Sequence, residues 1–287
     1  MTESIIFYAL LTSQLVLMSF YFPRRIHQRM QTAFYTYTPD QYPRLYPKPA
    51  SYYERLHQNY RLANQLLLIL GCSVMMAMLA IDFDLSAKHA QMVPWAIFMI
   101  QMMPQLALEL AEFKQLKLMR QSDQRTTRKA ELSPRRLFDI VPRPLFTVTI
   151  IILTVSFVLD AFMNDFNIGF DTSTFYRWLI LGLGNMGFAL GAWWLIYARK
   201  KNPYQSGTER KLQARANISS MLYVSIGMSL FVVISETIDT YELVRLSPAA
   251  MSLYCQLIAM ASLSTMLNTL RLDRLDFEVY REEPQSA

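Results

Sequence analysis

The chain has 287 residues, of which 53% are hydrophobic and 17% are charged, and its formal net charge is +6. A soluble domain is typically about 45–50% apolar and about 25% charged. This composition excludes a disordered chain and a collagen, and two cysteines are too few for a disulfide scaffold.

The apolar residues form blocks that are long enough to cross a lipid bilayer, which takes about 20 residues in a helix. Seven stretches meet this requirement: approximately 5–22, 62–82, 92–113, 144–163, 176–198, 217–237 and 249–270. The sequence therefore predicts an all-α integral membrane protein, in which residues 1–287 form one bundle of seven transmembrane helices.

The segments outside the spans differ in composition. A Tyr/Pro-rich loop at 23–61 contains a proline-dense part, 39–49, for which we predict an extended chain, and then a short helix that leads into the second span. We interpret this loop as a packed cap of the bundle, or alternatively as a lid over a substrate. A basic loop follows at 114–143, and the chain ends in a short tail at 271–287.

The distribution of charge predicts the orientation. If the N-terminus is outside, the inner segments 23–61, 114–143, 199–216 and 271–287 hold 25 of the 28 Lys and Arg residues. This pattern follows the positive-inside rule. Glu3 precedes the first span and Arg24 and Arg25 follow it, which is the reverse of a signal peptide. We therefore predict an uncleaved first span, the N-terminus outside and the C-terminus inside.

The same distribution bears on partners and location. The basic charge indicates contact with anionic lipid at the inner face of the bilayer rather than binding to nucleic acid, which would need a concentrated basic surface. Short outer loops suit a plasma membrane, specifically a bacterial inner membrane. The basic inner loops leave open a membrane or cytoplasmic protein partner.

Similar residue patterns in the two halves of the chain suggest an internal repeat. Arg61 and Asn64 precede the second span much as Arg215 and Asn217 precede the sixth, and spans 2 and 6 both end in Ile-Asp. These similarities are explained by a parallel repeat, in which three spans, a linking span and three more spans follow one another. The alternative is that they arose by chance.

Polar side chains within the spans are the candidate functional residues, because burying them in a membrane is costly. Those of the third span recur on one helical face, and others lie in spans 4, 6 and 7. The candidates for a polar path are Gln101, Gln105, Glu109, Glu112, Ser156, Asp160, Ser229, Glu236 and Gln256. The alternative is that they bind helices together by hydrogen bonds or reach water at the membrane surface.

The other motifs of the sequence do not indicate a catalytic or binding site. The glycines of the fifth span match GxGxxG but lie inside an apolar helix, so we predict that Gly187 and Gly191 serve close helix packing. The sequence shows no catalytic constellation, no spaced metal ligands and no cofactor motif. The last span also has no lysine, which argues against a retinal pigment.

Two functions follow as hypotheses. The first is a transporter or channel for a small solute or ion that moves along the polar faces of spans 3, 4, 6 and 7. The second is a receptor-like or accessory membrane subunit that acts on a partner protein through its basic inner loops. A membrane-embedded enzyme is a weaker third hypothesis.

Overall fold

A computed structural model describes residues 2–87, 89–122, 136–167, 169–170, 172–198, 202 and 204–281. In this part of the chain, seven helices are long and apolar enough to cross a membrane, which indicates a multi-pass membrane protein. We number the long helices α1 (Thr2–Thr36), α2 (Ala50–Ala80), α3 (Met92–Ser122), α4 (Arg143–Met163), α5 (Ser173–Trp193), α6 (Gly207–Thr240) and α7 (Ser247–Thr269).

Helix α1 continues well beyond the predicted end of the first span, passing Pro23 without a break. One turn, Leu17–Tyr21, is a π-helix, in which the Phe22 amide donates to the Leu17 carbonyl. Pro23 follows directly. Its missing N–H falls where the regular hydrogen-bond pattern is already interrupted, so the proline does not end the helix.

The Tyr/Pro-rich segment is therefore shorter than predicted, and only residues 37–49 lack helix. This segment is a series of tight turns rather than an extended chain: the Tyr42 amide donates to Thr38, and the Tyr46 amide donates to Pro43. Residues 50–61 are helical, as the sequence predicts, and form the first turns of α2.

The loops gather at two opposite ends of the bundle. At the end that holds the N-terminus, the N-terminal end, Arg245 pairs with Glu3 at 3.2 Å. At the C-terminal end, the Tyr42 hydroxyl donates to Glu278 at 2.9 Å. Successive helices therefore run in alternating directions.

Helix α7 lies at the centre of the packing, against α1 and α3 on one side and α6 on the other, and α6 in turn contacts α4 and α5. Between Ser247 and Thr269 it carries no charged side chain, and it buries small residues such as Ala249 and Ala259. Small side chains let neighbouring helices approach closely on several sides.

Four helices are longer than a bilayer requires. With 31 residues each, α2 and α3 reach about 46 Å at 1.5 Å per residue, against a hydrocarbon core of about 30 Å. Helices α1 and α6 have 35 and 34 residues. The apolar blocks of α1, α2 and α3 occupy the parts nearer the N-terminal end, so their polar parts extend at the C-terminal end. The first residues of the predicted basic loop, 114–122, belong to this extension of α3, whereas 123–135 lie outside the described residues.

Candidate functional site

Amide and hydroxyl side chains form a hydrogen-bonded chain between α1 and α7. The Ser13 hydroxyl donates to Gln256 Oε1 at 2.8 Å, and Gln256 Nε2 donates to the Leu10 carbonyl at 3.0 Å. One turn earlier in α7, the Ser252 hydroxyl donates to Gln14 Oε1 at 2.7 Å. Gln14 and Ser252 are fully buried.

The same chain continues from Gln14 into α3. Gln14 Nε2 donates to the Pro94 carbonyl at 3.0 Å and reaches Gln101 Oε1 at 3.4 Å, while Gln101 Nε2 donates to the Ser19 hydroxyl at 2.8 Å. Each of the side-chain amides in this hydrogen-bonded series has a partner on another helix. The predicted path residues Gln101 and Gln256 therefore join α1, α3 and α7, and we call the whole set the amide chain.

A second polar group, the ion cluster, lies near the N-terminal end between α4, α5 and α6. Arg177 Nε contacts Asp160 Oδ1 at 2.9 Å and its Nη2 contacts Glu236 Oε2 at 2.8 Å. Trp178 Nε1 donates to Asp160 Oδ2 at 2.8 Å, and Asn164 Nδ2 donates to Glu236 Oε1 at 2.9 Å. Asp160 is fully buried and Glu236 is 7% exposed. Each carboxylate oxygen is thus bonded to a side chain.

The predicted path serines of α4 and α6, Ser156 and Ser229, bond within their own helices. Ser156 donates to the Ile152 carbonyl at 2.8 Å, and Ser229 donates to the Ser225 carbonyl at 2.9 Å. Ser225 donates to Asn185 Oδ1 on α5. These bonds satisfy the hydroxyls, which otherwise cost free energy inside a membrane.

The glycines of α5 face two directions. A Cβ atom at Gly191 would lie 3.2 Å from Met221 Cε, and one at Gly184 would lie 2.7 Å from Met228 Cε, so both glycines allow α5 to approach α6 closely. A Cβ atom at Gly187 would meet nothing within 4 Å. In this chain the close approach therefore involves Gly184 and Gly191, while Gly187 is exposed on the surface of the bundle.

The remaining candidates line a cavity of about 430 Å³ at the C-terminal end. Its walls come from α1, α2, α3 and α7, from the 37–49 segment and from the tail. Gln105, Glu109 and Glu112 belong to the α3 wall. The 3.6-residue period of the helix brings these three residues, spaced four and three apart, to one face. Glu109 and Glu112 are exposed, and Gln105 is half-buried.

The opposite wall is aromatic. Phe34 packs against Tyr46 and against His57, with ring centroids 5.6 Å apart in both cases, and Tyr46 packs against Tyr53 at 5.0 Å. Burial raises the pKa of Tyr46 to about 12, so its hydroxyl remains protonated and can donate a hydrogen bond at physiological pH. Tyr53 is 4% exposed and packs within this wall.

Among the described residues that line this cavity, one carries a permanent positive charge, Arg29 of α1. Its Nη1 donates to the Leu267 carbonyl at 3.3 Å. Leu267 lies in the last turn of α7, where helix carbonyls lack partners and attract positive charge.

The tail covers the cavity at the C-terminal end. Phe277 lines the cavity and stacks on Tyr37, with ring centroids 3.8 Å apart. The Tyr42–Glu278 hydrogen bond joins the tail to the 37–49 segment, and Gln115 Nε2 donates to the Leu45 carbonyl at 2.8 Å. The segment and the tail therefore pack against each other beside the cavity, whereas the sequence analysis assigns a cap to the loop 23–61 alone.

The structure thus divides the predicted path residues among three places: the amide chain, the α4–α6 contacts with the ion cluster, and the cavity. It places Gln105, Glu109 and Glu112 in one cavity with aromatic side chains and Arg29, which the sequence analysis did not select. Gln14 was detectable as a polar residue within the first span. Arg177 was detectable as a cation at the edge of the fifth span, on the side where Asp160 and Glu236 lie near the ends of spans 4 and 6.

Within the described ranges, no group of three or more His, Cys, Asp and Glu side chains is arranged to hold a metal ion. Comparison of this chain with protein-family models, with curated proteins and with solved structures finds no match. The functional argument therefore depends on the geometry of the cavity.

Proposed function

We propose that this protein is a transporter or channel for a small solute, and that the cavity at the C-terminal end is its solute-binding site. The cavity is the observation that carries the proposal. Its volume of about 430 Å³ falls in the range of small-molecule sites, about 300–1,000 Å³. Its largely apolar lining with a few polar groups is also typical of such sites.

The position of the cavity supports a transport route that is closed toward the N-terminal end and opens either by alternating access or by a gate. Toward the N-terminal end, the amide chain and a cluster of Met18, Phe22, Ala259 and Leu263 lie between the cavity and the other side of the bundle. Leu263 also lines the cavity, so this cluster is adjacent to it. We propose that transport separates α1, α3 and α7 at this barrier. Asp160 and Glu236 are paired in the ion cluster, and Ser156 and Ser229 bond within their own helices. We therefore place the route along α3 and α7.

We propose further that the C-terminal end faces the cytoplasm of a bacterium and that the protein lies in the inner membrane. The segments that the sequence predicts to be inside hold 25 of the 28 Lys and Arg residues, and cytoplasmic loops carry such an excess. A fluorescent protein that folds only in the cytoplasm, fused after Ala287, is expected to fluoresce. The same reporter fused after residue 84 or 242 is expected to stay dark. The reverse pattern would contradict this orientation.

The parallel repeat remains part of the proposal. The contacts between helices support it. Helix α1 contacts α2 as α5 contacts α6, and α2 contacts α3 as α6 contacts α7. Two copies of one three-helix unit would have such matching contacts. Superposition of α1–α3 on α5–α7 tests the repeat. A mismatch in helix order or tilt would contradict it.

The transport proposal predicts a flux that depends on Glu109. The purified full chain is reconstituted in proteoliposomes loaded with a water-soluble cell extract, and mass spectrometry follows which solutes leave. At least one small solute is expected to leave faster than from protein-free vesicles. Glu109→Gln should slow this flux about 10- to 100-fold, because a hydrogen bond to a charged group contributes about 1.5–3 kcal/mol.

The matched control is Glu54→Gln. Glu54 is an exposed acid on the same end of the bundle, in α2, and does not line the cavity. Its variant should retain the wild-type rate. Solute release equal to that of protein-free vesicles, or full release by Glu109→Gln, would contradict the proposal.

The second candidate function is an accessory subunit that binds a partner protein at the C-terminal end. The exposure of Lys114 and Lys117, on the part of α3 that extends beyond the apolar block, favours it. A stoichiometric partner that is retained during purification, together with the absence of any solute flux, would support this candidate over the first.

A further inference from the structure

We propose that the tail is a lid on the cavity, held closed by an anchor at the start of α6, and that its release opens the cavity at the C-terminal end. The structure describes the tail as far as Arg281. This inference rests on the proposed function in one respect, that the cavity is the solute-binding site. It goes further by naming the element that controls access to that site.

One side chain of the tail, Phe277, forms part of the cavity wall. It stacks on Tyr37, with ring centroids 3.8 Å apart and ring planes 19° from parallel. The next residue, Glu278, accepts a hydrogen bond from the Tyr42 hydroxyl at 2.9 Å. Tyr37 and Tyr42 belong to the 37–49 segment, which supplies another part of the same wall. The tail therefore joins this segment to the end of α7 beside the cavity.

A second set of contacts, the anchor, holds the tail outside the cavity. The Asp276 amide donates to Glu209 Oε1 in the first turn of α6. The Tyr280 hydroxyl accepts from Asn202 Nδ2 at 2.9 Å, and its ring packs in a buried cluster with side chains of α3. Glu209 and Tyr280 are 6% and 8% exposed, but neither lines the cavity. The anchor is therefore separate from the wall that it holds in place.

The position of the tail depends on these contacts, because the tail has little regular structure. In its described part, the helical stretches are two 3₁₀ turns of three residues each, Leu272–Arg274 and Glu278–Tyr280. Such segments open locally at a lower free energy than packed helices do. The tail also follows the last long helix, so its release leaves the contacts between the seven helices in place. Loss of the anchor is therefore expected to free the tail without unfolding the bundle.

The tail continues directly from α7, which moves in the proposed transport. Leu270, the first residue after this helix, lines the cavity, and so does Phe277. While the anchor holds, the tail ties the end of α7 to the 37–49 segment and to the start of α6. Opening of the cavity and movement of α7 are therefore coupled through the tail.

Labelling of a cysteine inside the cavity measures closure of the lid without any transport. Leu263 lines the cavity and is 8% exposed. Leu263→Cys is made in a chain with Cys72→Ala and Cys255→Ala, which remove the two natural cysteines. Met266→Cys, which also changes a lining residue, is a second reporter. The purified full chain is treated in detergent with a water-soluble maleimide, and mass spectrometry follows the rate of modification.

Two variants remove the anchor. Tyr280→Ser takes the ring out of the buried cluster, and Glu209→Ala removes the acceptor of the Asp276 amide. Each is expected to raise the labelling rate about tenfold, because a buried ring or a hydrogen bond to a charged group contributes enough free energy to change an equilibrium by that factor. Neither residue lines the cavity, so faster labelling would report movement of the tail and not a wider wall.

Two controls separate release of the lid from a general loss of stability. Arg274→Gln changes an exposed tail residue outside the cavity lining and the buried cluster. Trp178→Phe removes one hydrogen bond to a carboxylate, as Glu209→Ala does, but in the ion cluster at the other end of the bundle. Both controls are expected to label at the unaltered rate.

The possible failures are distinct. An unaltered labelling rate in both anchor variants would overturn the lid, as would an equally fast rate in Trp178→Phe. If labelling depends on the anchor but the proteoliposomes release no solute, the lid stands and the transport proposal fails. If solute leaves in a Glu109-dependent way but labelling does not depend on the anchor, the transport proposal stands and the tail is a fixed wall.

Discussion

Replacement of Arg177 by methionine is expected to lower the free energy of unfolding by about 3–5 kcal/mol, the cost of breaking a buried ion pair on one side. Arg177 bonds to both Asp160 and Glu236, at 2.9 Å and 2.8 Å. Without the guanidinium, two buried carboxylates would face each other across the contact between α4 and α6. Trp178 and Asn164 donate to the other oxygens of these carboxylates, but they carry no positive charge that could replace the guanidinium.

An exposed ion pair at the same end of the bundle provides the control. Arg245 and Glu3 are in contact at 3.2 Å, but their side chains are 53% and 41% exposed. Arg245→Met should therefore cost only about 0–1 kcal/mol, as exposed pairs do. Both variants are unfolded in detergent by titration with SDS and followed by circular dichroism. Equal losses in the two variants would show that the ion cluster does not hold α4, α5 and α6 together.

If the purified Arg177→Met variant does not fold, a triple variant keeps the idea testable. Asp160→Asn and Glu236→Gln, added to Arg177→Met, remove the uncompensated charges while they preserve the shapes of the side chains. The triple variant is expected to be more stable than Arg177→Met alone, because buried charge is the main cost. A triple variant that is less stable would assign the cost to lost packing.

The second large effect is expected at Gly71, where α2 packs against Leu15 of α1. A Cβ atom at this position would lie 2.3 Å from Leu15 Cδ2, and Leu15 is 1% exposed. Gly71→Val is therefore expected to destabilise the protein by about 1–3 kcal/mol, the usual range for an overpacked core. The valine must push α1 and α2 apart or force Leu15 out of its packed position.

Gly187→Val is the matched control, because it makes the same substitution in a helix where a Cβ atom would have open space. Its effect should be near zero or slightly stabilising, since valine has a somewhat better helix propensity than glycine. Stability is again measured by SDS titration. A loss at Gly187 as large as that at Gly71 would mean that the exposed face of α5 is packed in the purified protein, against lipid or a second chain.

The candidate site was predictable in part. The spacing of Gln105, Glu109 and Glu112 places them on one face of α3 in any helix, so their proximity follows from the sequence. The sequence could not reveal what faces them. Phe34 and Phe277 are more than 200 positions apart in the chain. Both line the cavity only because the end of α1 and the tail meet at one end of the bundle.

Membrane spans are determined by local hydrophobicity, which acts on each stretch of about 20 residues separately. For that reason the sequence alone determined the seven long apolar helices. The use of each polar residue depends on its neighbours in other helices, so only the tertiary structure could decide it. It placed Gln101 in the amide chain and its neighbour one turn away, Gln105, in the cavity. It also made Arg177 the partner of two buried acids, because the packing of α4, α5 and α6 brings Asp160 and Glu236 to 2.9 Å and 2.8 Å from its guanidinium.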